Sequence, residues 1–130
     1  YLHRFAEPFL SNDLNLDQAL IERRRLRRLW SAFLTKYQVC IGPTWCNLPW
    51  PIDTDLDPEK GIEVLQESFK FIAPGNCLGL PSVSLPMGVS DGLPTGIQIY
   101  SELYREDLCL LAAELIERDT VCPTPIDPVK

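Results

Sequence analysis

The chain has 130 residues, 45% hydrophobic and 23% charged, a globular composition with enough length for one domain and a real core. Its net charge of −6 argues against a nucleic-acid face, which needs a basic surface. No apolar run approaches the ~20 residues that cross a bilayer, and no leader pattern is visible, so no membrane contact and a cytoplasmic location are expected.

Residues 1–13 show no clear period. Asn15 and Gln18 have the spacing of a capping box, and the apolar positions 16, 19, 20, 26, 29, 30, 33, 34 and 37 predict a helix from Leu16 to about Lys36 or Tyr37, its stripe facing a core. Arg23, Arg24, Arg25, Arg27 and Arg28 interrupt the stripe. They read best as a solvated face near Glu22, since no aromatic residues interleave with them as base-stacking platforms. Val39 to Gly42 is a short strand stopped by Pro43. Trp45 to Asp57, rich in Pro, Trp, Asp and Asn, reads as a long ordered loop.

A second helix is expected from Pro58-Glu59, capped by Asp57, with Ile62, Leu65, Phe69 and Ile72 on its apolar side. Ala73 to Leu80 reads as a turn-rich connector holding Pro74, Gly75, Asn76 and Gly79. Two β-rich runs follow, paired as 81–89 with 95–101 around Asp91-Gly92, the strongest short hairpin signal because both residues tolerate positive φ. A third helix is predicted over Arg105 to Arg118, with Leu108, Leu111, Ala112 and Leu115 on its core face. Residues 121–130, with Pro123, Pro125 and Pro128, form neither helix nor central strand. The fold expected is α/β, an α+β-like fragment with three helices packed on one side of a small mixed sheet that contains the antiparallel hairpin and the 39–42 strand. It reads as a single domain over 1–130.

The five cysteines, Cys40, Cys46, Cys77, Cys109 and Cys122, show no C-x-x-C spacing, and His3 is the one histidine. No metal or other cofactor is therefore expected, and the thiols read as small buried hydrophobes in a reducing compartment. Ser82 and Ser84 share one face of a strand with no base suggested nearby, so they read as ordinary strand serines. A Cys77–His3 nucleophile pair lacks a third orienting group and is set aside.

Asn76, Gly79, Pro81, Ser84, Pro86 and Gly88, then Gly92, Leu93, Pro94, Gly96 and Gln98, agree in order and spacing with the C-terminal part of amidase-signature enzymes, which this chain resembles. The resemblance extends roughly from Leu16 to Pro128. It takes in Pro43-Thr44 after the short strand, the run from Arg105 to Glu114, and Thr124-Pro-Ile-Asp-Pro128. It implies a parent that cleaves or transfers carboxamides with a Ser–cis-Ser–Lys triad and a backbone oxyanion hole. The chain has no Gly-Gly-Ser-Ser-like run, and Lys36, Lys60, Lys70 and Lys130 lie outside the family's lysine context, so no catalytic residue is assigned.

What the resemblance does imply is a substrate-pocket lining of Thr44, Trp45, Asn76, Cys77 and Leu78, although Asn76 also suits a turn held by its own side chain. Gly96 and Gln98 read as scaffold. The implied partners are the rest of the amidase domain and a small-molecule amide. With an unpaired sheet edge and an uncovered apolar face, the fragment itself is expected to form a homo-oligomer, a dimer in the first instance. Two alternatives stand beside the hydrolase: the A subunit of an aminoacyl-tRNA amidotransferase, and a stand-alone interaction module of the same fold.

Overall fold

The computed structural model describes residues 15–120. His3, Cys122 and the proline-rich tail lie outside the described residues. Helix α1 spans Leu16–Tyr37 and opens on the expected capping box: the Asn15 side chain accepts from the Gln18 N–H at 2.9 Å, and the Gln18 side chain accepts from the Asn15 N–H at 3.0 Å. Strand β1 is Val39–Pro43, and a 3₁₀ turn occupies Thr54–Leu56. Helices α2 (Gly61–Phe69) and α3 (Ile72–Leu78) follow, then β2 (Ser82–Ser90), β3 (Leu93–Ser101) and α4 (Glu106–Asp119). No described helix is long and apolar enough to cross a membrane.

The α/β class and the hairpin are as the sequence suggests. Asp91 (φ 52°) and Gly92 (φ 77°) make a two-residue turn, both central residues taking the positive φ of a type I′ hairpin. The three strands lie in the order β1-β3-β2, and both pairings are antiparallel rather than mixed. Pro86 and an unpaired Met87, where the register shifts, fall on edge strand β2, where a missing N–H and a bulge are tolerated.

Among the described residues four α-helices form instead of three, because the connector is itself helical. Pro74 sits in the first turn of α3, where its missing N–H removes no intrahelical bond, and Gly79 (φ 71°) closes the helix by donating to the Gly75 carbonyl at 2.8 Å. Helix α2 starts at Gly61, three residues later than expected. Asp57 still caps, accepting from the Glu59 and Lys60 N–H groups at 2.8 and 2.9 Å, but it caps the turn ahead of the helix. Gly61 presses on the 3₁₀ turn so closely that a Cβ there would stand 2.2 Å from the Asp55 carbonyl oxygen.

The helices cover both faces of the sheet, not one. Antiparallel partners share a face. Ile41, Ile99 and Val83 therefore form one row, and Cys40, Tyr100 and Ser82 form the next row on the opposite face. Helix α4 lies on the first face, with Cys109 Sγ 3.1 Å from Ser101 Oγ and 3.6 Å from the Ile99 carbonyl. Phe71 and α3 lie on the second, against Tyr100 and Gly42. Strand β3 is consequently covered twice, and Ile99, Tyr100 and Ser101 are buried.

Two helices present different faces from those the spacing suggests. In α4 the buried positions are Cys109 and Ala113, while Leu111 and Leu115 are half-exposed. Small side chains bring this helix close to the strands, and burial pushes the Cys109 thiol pKa up, against the Ser101 hydrogen bond that lowers it. In α1 only Leu34 is buried, and Leu16, Leu20, Leu29, Phe33 and Tyr37 remain exposed because α1 reaches the rest of the molecule mainly at α3 and β1. The arginines behave as a solvated face. Arg25 pairs with Glu22 at 2.6 Å and Arg23 Nε donates to the Cys77 carbonyl, while Arg24 and Arg28 are exposed.

Candidate functional site

Where β1 ends at Pro43, the chain stays in register for one more residue: the Thr44 N–H donates to the Gly96 carbonyl at 3.0 Å. It then turns away from the sheet, and the loop after it is fastened to the end of α2. The Cys46 N–H donates to the Ser68 carbonyl at 3.3 Å, and Asn47 Nδ2 donates to Ser68 Oγ at 3.0 Å, which itself donates to the Val64 carbonyl at 2.7 Å. Trp45 is wedged between Phe69 (ring centroids 4.9 Å apart, nearly edge-on) and Trp50 (5.4 Å). These ties hold the loop away from the strands and leave an open cleft of about 760 Å³ between them.

One wall of the cleft is the 43–50 loop, and the other is Ser84 to Pro86 of β2 with Pro94 to Gly96 of β3. The volume falls in the usual range for small-molecule sites, roughly 300–1,000 Å³. Gly96 is a spacing device. A Cβ there would stand 3.0 Å from the Leu85 carbonyl and 3.2 Å from Thr44 Oγ1, so any larger residue would press the three segments a few tenths of an ångström apart. Thr44 Oγ1 is buried without a hydrogen-bond partner, and Gly96 beside it has no side chain to supply one. Among the described residues, none that lines the cleft is acidic, basic or histidine.

Of the five residues singled out from the sequence, Thr44 and Trp45 line this cleft. Asn76, Cys77 and Leu78 lie on α3, over the Tyr100 end of the same sheet face, and are not among its lining residues. Asn76 and Cys77 are exposed and Leu78 is buried. The turn after them is held by main-chain bonds, with Gly79 donating to the carbonyls of Gly75 and Asn76. Gln98 is buried and donates to Ser82 Oγ at 3.1 Å, serving a side chain rather than the backbone. Sequence reasoning passed over Trp50, Asn47 and Leu85; the signal available was the density of Trp and Pro in the 43–51 loop.

The serine hydroxyls that make hydrogen bonds serve the fold. Among the described residues, Ser68 bonds to Val64 and Asn47, Ser82 to Gln98, and Ser101 to Arg105 and Cys109, each without a lysine. Lys70 pairs with Glu67, and Lys36 lies over the Tyr37 ring.

The family model described as Amidase matches residues 4–110. An indoleacetamide hydrolase of Bradyrhizobium japonicum is 36% identical over 102 residues, which cover 78% of this chain and 22% of that protein. The A subunit of the glutamyl-tRNA(Gln) amidotransferase from Clostridium kluyveri is 29% identical over 103 residues, covering 79% and 20% respectively. The crystal structure of the corresponding A subunit from Thermotoga maritima, also of a glutamyl-tRNA(Gln) amidotransferase, superposes with a TM-score of 0.72 at 24% identity. That match spans 92% of this chain and 25% of the other, a likeness of fold. The chain thus spans about a fifth of the length of the curated relatives it matches.

Proposed function

The chain belongs to the amidase family, and from that premise we propose that it supplies scaffold and one wall of the substrate pocket to an enzyme that hydrolyses carboxamides. The nucleophile and base of that enzyme, a Ser–cis-Ser–Lys set by the family resemblance, lie outside these residues. The observation that carries the reading is the Thr44–Trp45 cleft, a shaped neutral wall with no serine–lysine pair beside it among the described residues. The partners are the remainder of an amidase domain and a small-molecule amide. The four described cysteines are free thiols, which supports a reducing, cytoplasmic setting. The identities of 36–38% to indoleacetamide hydrolases, against 29–31% to amidotransferase A subunits, favour the hydrolase.

A fluorophosphonate probe, which bonds to activated serines, tests this. With an indoleacetamide hydrolase labelled in parallel, peptide mapping is expected to find no modified serine in this chain. Labelling at Ser82, Ser84 or any other serine overturns the reading.

The exposed apolar residues of α1 and α4 also support self-association of the isolated chain as a dimer. Sedimentation velocity over a hundredfold concentration range is expected to show a concentration-dependent shift. A single monomeric boundary throughout rules the dimer out.

A further inference from the structure

We propose that a second copy of this chain covers the exposed ridge of α1, seating its own α4 there in a two-fold dimer. This rests on the self-association reading and names the surfaces that meet.

Shape and charge both select this pairing. On α1, Leu16, Leu20, Arg24 and Arg28 recur every four residues and all are exposed; on α4, Asp107, Leu111, Leu115 and Asp119 do the same. Side chains four apart form a ridge along a helix, and two such ridges interdigitate in the commonest mode of helix packing. Each ridge presents four side chains along about 18 Å of axis, so they match in length. Leu16 is 74% exposed and Leu111 and Leu115 are each 52% exposed, apolar surface that gains by leaving water.

Helix α1 carries six basic residues against Asp17 and Glu22, whereas α4 carries five acidic residues against Arg118, so each has four charges in excess and the signs are opposite. Pairing within each helix, Arg25 with Glu22 and Arg118 with Glu114, leaves those excesses unchanged. Arg24 and Arg28 on one helix, and Glu117 and Asp119 on the other, make no ion pair among the described residues. Two copies of α1 repel one another, as do two copies of α4, while α1 on α4 attracts. The end of α1 and the start of α4 are neighbours, with Leu34, Gln38 and Leu108 around one small hollow. One docking event can therefore engage both helices, and two-fold symmetry makes each contact twice.

Sedimentation equilibrium of the whole 130-residue chain tests this. The chain is expected to dimerise, more weakly as salt is raised. Arg24→Glu with Arg28→Glu is expected to weaken the dimer at least ~10-fold, and Glu117→Lys with Asp119→Lys by a similar factor, because like charges then face one another. These side chains are exposed, so the fold is expected to survive, which circular dichroism checks. A chain with all four substitutions, or an equimolar mixture of the two double variants, is expected to regain the original association. A dimer that neither reversal weakens, or a loss that the combined chain does not regain, overturns this interface and leaves self-association standing. A chain that stays monomeric overturns both and assigns the ridges to other parts of a longer protein.

Discussion

Tyr100→Ala is expected to lower the unfolding free energy by about 3–5 kcal/mol, the range for removing a large buried aromatic side chain. A domain of this size has only ~5–15 kcal/mol in all, so the variant should unfold at markedly lower urea. Tyr100 is 2% exposed, near the end of the middle strand. Its ring packs on Phe71 at 5.2 Å and against the bare Cα of Gly75, and its hydroxyl donates to the Phe71 carbonyl at 3.3 Å. Tyr100→Phe separates packing from hydrogen bonding. It keeps the ring and loses one long bond, so a loss of ~1 kcal/mol or less is expected. Equal midpoints for the two variants would show that the ring contributes little.

The same side chain sets a pH dependence. Burial, and secondarily the nearby Cys40, push its phenol pKa up. A folded-state pKa above the unfolded one gives stability that is complete below the ordinary phenol range of ~10 and declines as pH rises through the folded value. Tyr100→Phe should lack that alkaline decline.

What was legible in the sequence was local. The Asn15–Gln18 capping box and the Asp91-Gly92 turn each depend on residues within three positions of one another, and both formed as read. The α4 boundaries also followed from a single periodic run. The α3 helix was hidden because Pro74, Gly75 and Gly79 signal turns individually; only their order, proline in the first turn and glycine after the last, marks a short helix. Which face of α4 turns inward could not be read from spacing. Leu111 and Leu115 fit the period as well as Cys109 and Ala113, and the choice is made by the Pro81, Ile99 and Ser101 atoms that Cys109 meets from another part of the chain. The cleft was half legible for the same reason. Thr44 and Trp45 follow a recognisable strand end, but the strands opposite them and the indole of Trp50 join only through tertiary packing.

Gly75→Ala is the sharpest case of tertiary packing overruling local preference. Inside a helix, alanine is ordinarily favoured over glycine by ~0.5–1 kcal/mol. At this position a Cβ would stand 2.3–2.6 Å from Cε1, Cζ and Oη of Tyr100. The ring has little room to retreat, because Phe71 packs on it, and Phe71 in turn fills the space left by Gly42, where a Cβ would come within 2.5 Å of the Phe71 ring. The two glycines and two aromatic rings thus form one interlocked column on this sheet face. Overpacking typically costs ~1–3 kcal/mol, and with so close an approach the upper part of that range applies. It exceeds the helical gain, and a net destabilisation of ~2 kcal/mol is expected in urea unfolding. Because the overlap is with the Tyr100 ring, the loss should shrink when that ring is removed. In a Tyr100→Leu background, Gly75→Ala is expected to cost at least ~1 kcal/mol less, a coupling of the size contacting residues show. A stabilised Gly75→Ala, or additive effects of the two substitutions, would mean that α3 can move off the sheet and that the column does not fix its position.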